Sequence, residues 1–212
     1  MSIQTSPFID RLEKKYPWFA IENLGLFLVI LQAFGFVAVH ISYDAIYKFA
    51  LIPSELMRGE LWRLFTFIAL PLSTRLWIIL LLFFLYQMMQ LFEQLAGSFK
   101  TTLYFSIGLV MTILYSVTTG FVVTTFMPLE MTLIFAVAAL YPEMELMLFF
   151  MIPVRIMWIA LFGAALLLFT FIFSPWAERG FLFMTYLNYL IFFGPGHFEQ
   201  LKRWRARRDW KP

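Results

Sequence analysis

Six apolar runs dominate this chain, at residues 21–42, 76–95, 101–123, 128–141, 154–173 and 176–193, and none carries more than two charged side chains. A helix needs about 20 such residues to cross a hydrocarbon layer roughly 30 Å thick. Inside lipid only a helix or a closed barrel can satisfy its own backbone, so runs of this length read as helices. Five are long enough to span, and the run at 128–141 lies at the short end. A further stretch, 64–72, is apolar but too short to cross, and is expected to lie at the interface or dip partway in. Pro53, Pro71, Pro128, Pro142, Pro153, Pro175 and Pro195 fall at or near these edges, where proline breaks regular structure.

Composition agrees with membrane residence. The 212 residues are 62% hydrophobic, 20% aromatic and only 14% charged, too little polar material to cover a soluble core of that size. The expected fold class is all-α: one polytopic membrane domain over 1–212, with a polar N-terminal segment at 1–20 and a basic tail at 195–212. The run at 21–42 is too long for a cleaved signal and lacks a small-residue cleavage pattern, so it reads as a retained anchor.

Lysines and arginines orient the bundle, because they accumulate on the cytoplasmic side. With six spans both ends share one face. Arg11, Lys14, Lys15, Lys100, Arg155, Lys202, Arg203, Arg205, Arg207, Arg208 and Lys211 lie on it, eleven against the five at Lys48, Arg58, Arg63, Arg75 and Arg179. The termini are therefore expected in the cytoplasm, and the short termini point to a bacterial inner membrane. The tail "LKRWRARRDWKP" interleaves cations with Trp204 and Trp210. That pattern suits nucleic acid in principle, but a positive-inside segment resting on anionic headgroups explains it more simply. The partners expected are membrane lipids and not nucleic acid.

Several chemistries drop out at once. There is no cysteine, and only His40 and His197 offer imidazole, so neither a thiolate nor a histidine metal centre is expected, and no cofactor. Aromatic and methionine-rich runs such as "LLFFLYQMMQLF" and "FLFMTYLNYLIFF" read as packing or lipid-facing surface. Gln87, Gln90 and Asn188 within them suit hydrogen bonds between helices.

Three motifs stand out in order: "GELWRLFT" at 59–66, "EQLAGSFK" at 93–100 and "IPVRIMW" at 152–158. Together they resemble the rhomboid superfamily: its tryptophan–arginine loop after the first helix, its E-x-x-x-G-S-x-K corner between helices two and three, and its I-P-V-x-x-x-W entry to helix five. The resemblance covers about 59–194. It implies a six-helix bundle with a short central fourth helix and an outer loop partly in the membrane. It also implies that Trp62, Arg63 and Thr66 hold that loop, and that Glu93, Gly97, Ser98 and Lys100 build the corner.

The family's catalytic groups have no counterpart here. A serine nucleophile should fall near 124–134, "TTFMPLEMTLI", which has neither serine nor glycine, and helix six contains no histidine base. The closest local match, "SPWAERG", puts Glu178 where the base belongs. The histidine and asparagine that support an oxyanion elsewhere in the family read here as Phe67, Pro71 and the apolar run near Leu76 and Leu80. A hydroxyl without a proton acceptor is a poor nucleophile. The expectation is a rhomboid-like pseudoprotease, derlin-like in kind, that binds transmembrane segments of client proteins. Helix six, with Gly180, Gly194 and Gly196, lacks the four-residue glycine spacing common among derlins. Two alternatives stay open. One is a protease using Glu130, Thr132 and Glu178, the polar residues expected around an outer cavity; the other is a structural membrane subunit. Client identity and oligomeric state are not written in the sequence.

Overall fold

The computed structural model describes residues 7–148 and 152–209. Helix α1 (Pro7–Lys15) and a 3-10 turn (Pro17–Phe19) precede α2 (Leu24–Ile41). Three short helices follow: α3 (Ala45–Phe49), α4 (Pro53–Met57) and α5 (Arg63–Thr66), the last running into a second 3-10 turn (Phe67–Ala69). Then come α6 (Ile78–Ala96), α7 (Ser98–Thr119) and α8 (Met127–Leu140). A two-stranded antiparallel hairpin, β1 (Glu145–Leu148) and β2 (Ile152–Arg155), leads into α9 (Ile156–Phe173) and α10 (Trp176–Asp209).

Among the described residues, four helical segments are long and apolar enough to cross a membrane: 17–41, 78–96, 98–119 and 156–173. Helix α8 is apolar but has only 14 residues. The sixth run also differs from expectation. Helix α10 is not among the four apolar segments, because Glu178, Arg179, Thr185, Asn188 and two tyrosines dilute it. It packs chiefly on α7 and α8, where Thr185 and Asn188 are buried. A helix walled in by protein has no need to be apolar all round. It also continues past Pro195 to Asp209, where the sequence reading ended the run at 193 and began a tail. The proline removes one backbone donor without stopping the helix.

The hairpin is a second departure from an all-helical expectation. The fifth run was expected from 154, yet 152–155 pair as a strand opposite 145–148 and the helix begins at Ile156. Pro153 disfavours helical backbone in the residue before it, and Arg155 reaches back to Glu143 at 3.0 Å and Glu145 at 4.0 Å.

The core gathers around α8, which touches α6, α7, α9 and α10. Leu129, Leu133, Ala136 and Val137 are almost fully buried on it. Close approach is set by glycines. A side chain at Gly108 of α7 would strike Leu129, and one at Gly180 of α10 would strike the Tyr115 ring of α7. The α7–α10 contact is therefore glycine-mediated at Gly180 even without a four-residue glycine repeat. Helix α9 is the exception to all this packing. Only 6% of its spanning window is buried, against 33–39% for the other three.

Candidate functional site

The opposite ends of the bundle carry different structures. One end, the loop face, holds residues 42–77 and the starts of α8 and α10. The other, the corner face, holds the α6–α7 junction and the hairpin.

Arg63 organises the loop face. Its side chain is 6% exposed. Nε donates to Glu60 Oε2 at 2.7 Å, and Nη2 lies 2.5 Å from the same oxygen. Nη1 donates to the carbonyls of Tyr47 at 2.5 Å, Ala50 at 2.9 Å and Lys48 at 3.2 Å. Thr66 adds a bond from Oγ1 to the Phe49 carbonyl at 3.3 Å. The planar guanidinium suits this task because its donors diverge in fixed directions. Trp62 has a different fate: it is 53% exposed and sits at the surface.

The stretch so held is tied to the approach to α8. Leu51 N and Val123 N each donate to the other's carbonyl at 3.0 Å, an isolated antiparallel bridge between two loops. Beyond Arg63 the chain dives inward. Phe67, Ile68, Ala69 and Leu70 are buried, and the backbone of Ala69 crosses α2 at Gly35, where a side chain would collide with the Ala69 carbonyl. Gly35 lies six residues, about 9 Å, inside the end of α2. Phe67 meets Phe126 edge to face at 5.9 Å, directly before α8.

The first turn of α8 holds Glu130, buried at 3% exposure. Gln32 Nε2, from the middle of α2, donates to Glu130 Oε1. Glu130 Oε2 and Gln32 Oε1 have no hydrogen-bond partner among the described residues. Thr132 is fully buried: its Oγ1 donates to the Leu129 carbonyl at 2.6 Å, and its own carbonyl accepts from Tyr104 Oη at 3.1 Å. Glu130 and Thr132, expected around an outer cavity, thus lie in the packed interior. Neither hydroxyl nor carboxylate there faces the other as nucleophile and base. The reason is the inserted loop, whose Phe67 and neighbours pack above the start of α8. His40 stands apart near the end of α2, its Nδ1 2.9 Å from the Phe36 carbonyl.

Glu178 goes elsewhere. It lines an apolar cleft of about 250 Å³ between α8, α9 and α10. Met127, Met131 and Phe135 wall it on α8, Gly163 and Leu167 on α9, and Leu182 and Tyr186 on α10. Glu130 faces α2 while Glu178 borders the α9 side of α8, so the two carboxylates do not form a pair.

At the corner face Gly97 joins α6 to α7 with φ +88, a backbone that favours glycine. Glu93 Oε1 accepts from Ser98 Oγ at 2.7 Å and from Asn23 N at 3.1 Å. Gln90 Nε2 donates to Asn23 Oδ1 at 3.1 Å, and Ile21 N to Thr102 Oγ1 at 3.0 Å. Lys100 Nζ pairs with Asp10 at 2.8 Å and Glu13 at 3.7 Å, holding α1 against α7. The four corner residues are brought together around α1 and the start of α2.

Sequence reasoning missed Gln32. The only signal for it was one amide in the middle of an otherwise apolar helix, a placement that calls for a partner. The Leu51–Val123 bridge had no signal at all, being made by backbone. No protein family matches the chain, and no curated protein and no solved structure matches it either.

Proposed function

We propose that this chain is a rhomboid-like membrane protein of six crossing segments, without protease chemistry, that binds transmembrane segments of client proteins beside α9. The observation that carries this reading is the contrast between α9 and the rest. Loop, corner and α8 are tied down by side-chain hydrogen bonds, while α9 has only Ile156 buried and leaves an apolar cleft on its inner side. A wall so lightly attached can yield to a neighbouring helix at small cost. The loop motif, the corner motif and a short helix at the centre support the family reading. The packing of Phe67 and Phe126 over α8, together with the missing serine and histidine, supports binding without cleavage.

In this reading the chain resides in a bacterial inner membrane. The eleven-to-five excess of basic residues supports cytoplasmic termini. The loop face then points outward, and client binding beside α9 serves quality control, assembly or trafficking.

The test is reconstitution with a panel of single-span substrates, read by fragment mass spectrometry and by labelling with a serine-reactive phosphonate. Saturable association with neither fragments nor label is expected. Reproducible cleavage that disappears in Thr132→Ala or Glu178→Gln would overturn the reading in favour of an unconventional protease.

A further inference from the structure

The α8–α9–α10 cleft differs from ordinary lipid-facing surface in one respect: it carries a single carboxylate at its loop-face end. Glu178 makes no side-chain hydrogen bond or ion pair among the described residues. The neighbouring cation does not neutralise it. Arg179 donates from Nε to the Ser174 carbonyl at 2.8 Å and from Nη2 to the Ile172 carbonyl at 2.7 Å, and stacks over Trp176 at 4.9 Å. Below Glu178 the α10 lining continues through Leu182 and Tyr186, at four-residue spacing, so the cleft runs about 12 Å inward along one helix face. Its other walls are overwhelmingly apolar. The polar lining is confined to Glu178, Thr170 and Tyr186, and the Thr170 hydroxyl is already spent on the Leu166 carbonyl at 2.9 Å.

The lining decides the body of the occupant: walls this apolar suit a hydrocarbon chain. The charge decides the head. A carboxylate at the mouth of a low-dielectric slot attracts a cation and repels an anion.

We infer that the cleft is a lipid site that takes one acyl chain of a lipid whose headgroup carries a primary ammonium, paired with Glu178. The proposal does not rest on client binding, since a lipid can occupy the cleft with no client present.

The experiment uses the full chain, purified and delipidated in a neutral maltoside detergent. Thermal unfolding is followed while dioleoyl-phosphatidylethanolamine or dioleoyl-phosphatidylglycerol is added at equal mole fraction. The ethanolamine lipid is expected to raise the midpoint saturably, by about 3 °C or more, through binding to the folded state; the glycerol lipid is expected to do so far less. Glu178→Gln should abolish the preference. Gly163→Leu should abolish the rise with both lipids, since its β-carbon meets only Phe135 at ordinary contact distance and its side chain fills the slot. If Gly163→Leu does not fold, Leu167→Trp obstructs the same slot. Equal stabilisation by the two lipids, a preference that survives Glu178→Gln, or a full rise in the filled variant would each overturn the proposal. No client peptide is present, so failure here leaves the client reading standing, and failure of that reading leaves this one.

Discussion

Gln32 and Glu130 form a costly polar pair in the interior. Each is buried, they satisfy one another through a single bond, and each keeps an oxygen without a partner among the described residues. Removing one member strands the other, whereas removing both leaves a dry apolar contact. Gln32→Leu alone is therefore expected to lower stability by about 1–3 kcal/mol, and the Gln32→Leu/Glu130→Leu double variant to return to within about 1 kcal/mol of the parent. Thermal or denaturant unfolding in detergent reads both; two harmless single variants would contradict the pairing. Arg63 is a different case, because its acceptors are mostly backbone carbonyls that no second substitution can remove. Arg63→Ala should cost about 3 kcal/mol. Arg63→Lys should recover only part of that, since an ammonium cannot reach Glu60 and the 47–50 carbonyls together.

At the scale of elements, the inserted loop and α9 are opposites. The 3-10 turn at 67–69 lies directly on α2, with no room for a side chain at Gly35. Gly35→Val must push the loop outward, at about 1–3 kcal/mol for overpacking. Faster amide exchange at 51 and 123 should accompany the loss, because the bridge joins that loop to α8. Unchanged exchange there would uncouple the two. Helix α9 should behave otherwise. Phe162→Ala removes a side chain that is 67% exposed, and its effect on stability should stay within about 0.5 kcal/mol. Phe67→Ala, fully buried beside Phe126, should cost about 2 kcal/mol. That is below the usual range for a buried phenylalanine, because in a membrane the apolar transfer term shrinks and the cavity remains. A similar cost at both positions would show that α9 is packed as tightly as the loop.

For the whole molecule, what the sequence revealed follows from where the physics is local. Hydrocarbon thickness is read residue by residue, so five of the six apolar runs map onto α2, α6, α7, α8 and α9 with edges shifted by a few residues. Gly97 and the neighbouring Glu93 and Ser98 were legible because a tight corner needs a positive φ and a local acceptor. Pro195 misled, since a proline's preference for an edge is a tendency that a long helix overrode. The hairpin was illegible inside "ELMLFFMIPVR", where apolar residues fit a strand or a helix equally. Of the expected outer-cavity residues, Glu130 and Thr132 lie inward beneath the inserted loop, where Glu130 meets Gln32 across a contact no local pattern encodes. Only Glu178 borders open space. The absence of cysteine is useful here: any single introduced cysteine can be labelled without background.

Client helices, as proposed, are met on the α9 side of the bundle. A photoreactive group attached through Leu166→Cys, on α9 beside the cleft, can be compared with one attached through Phe27→Cys on α2, where exposure is similar at 51% and 58%. Both proteins are placed in lipid nanodiscs with the same single-span peptides and irradiated. Saturable crosslinking to peptide is expected from position 166, several-fold above that from position 27. Equal yields from the two positions would show that α9 is simply another lipid-facing helix and would contradict the proposal.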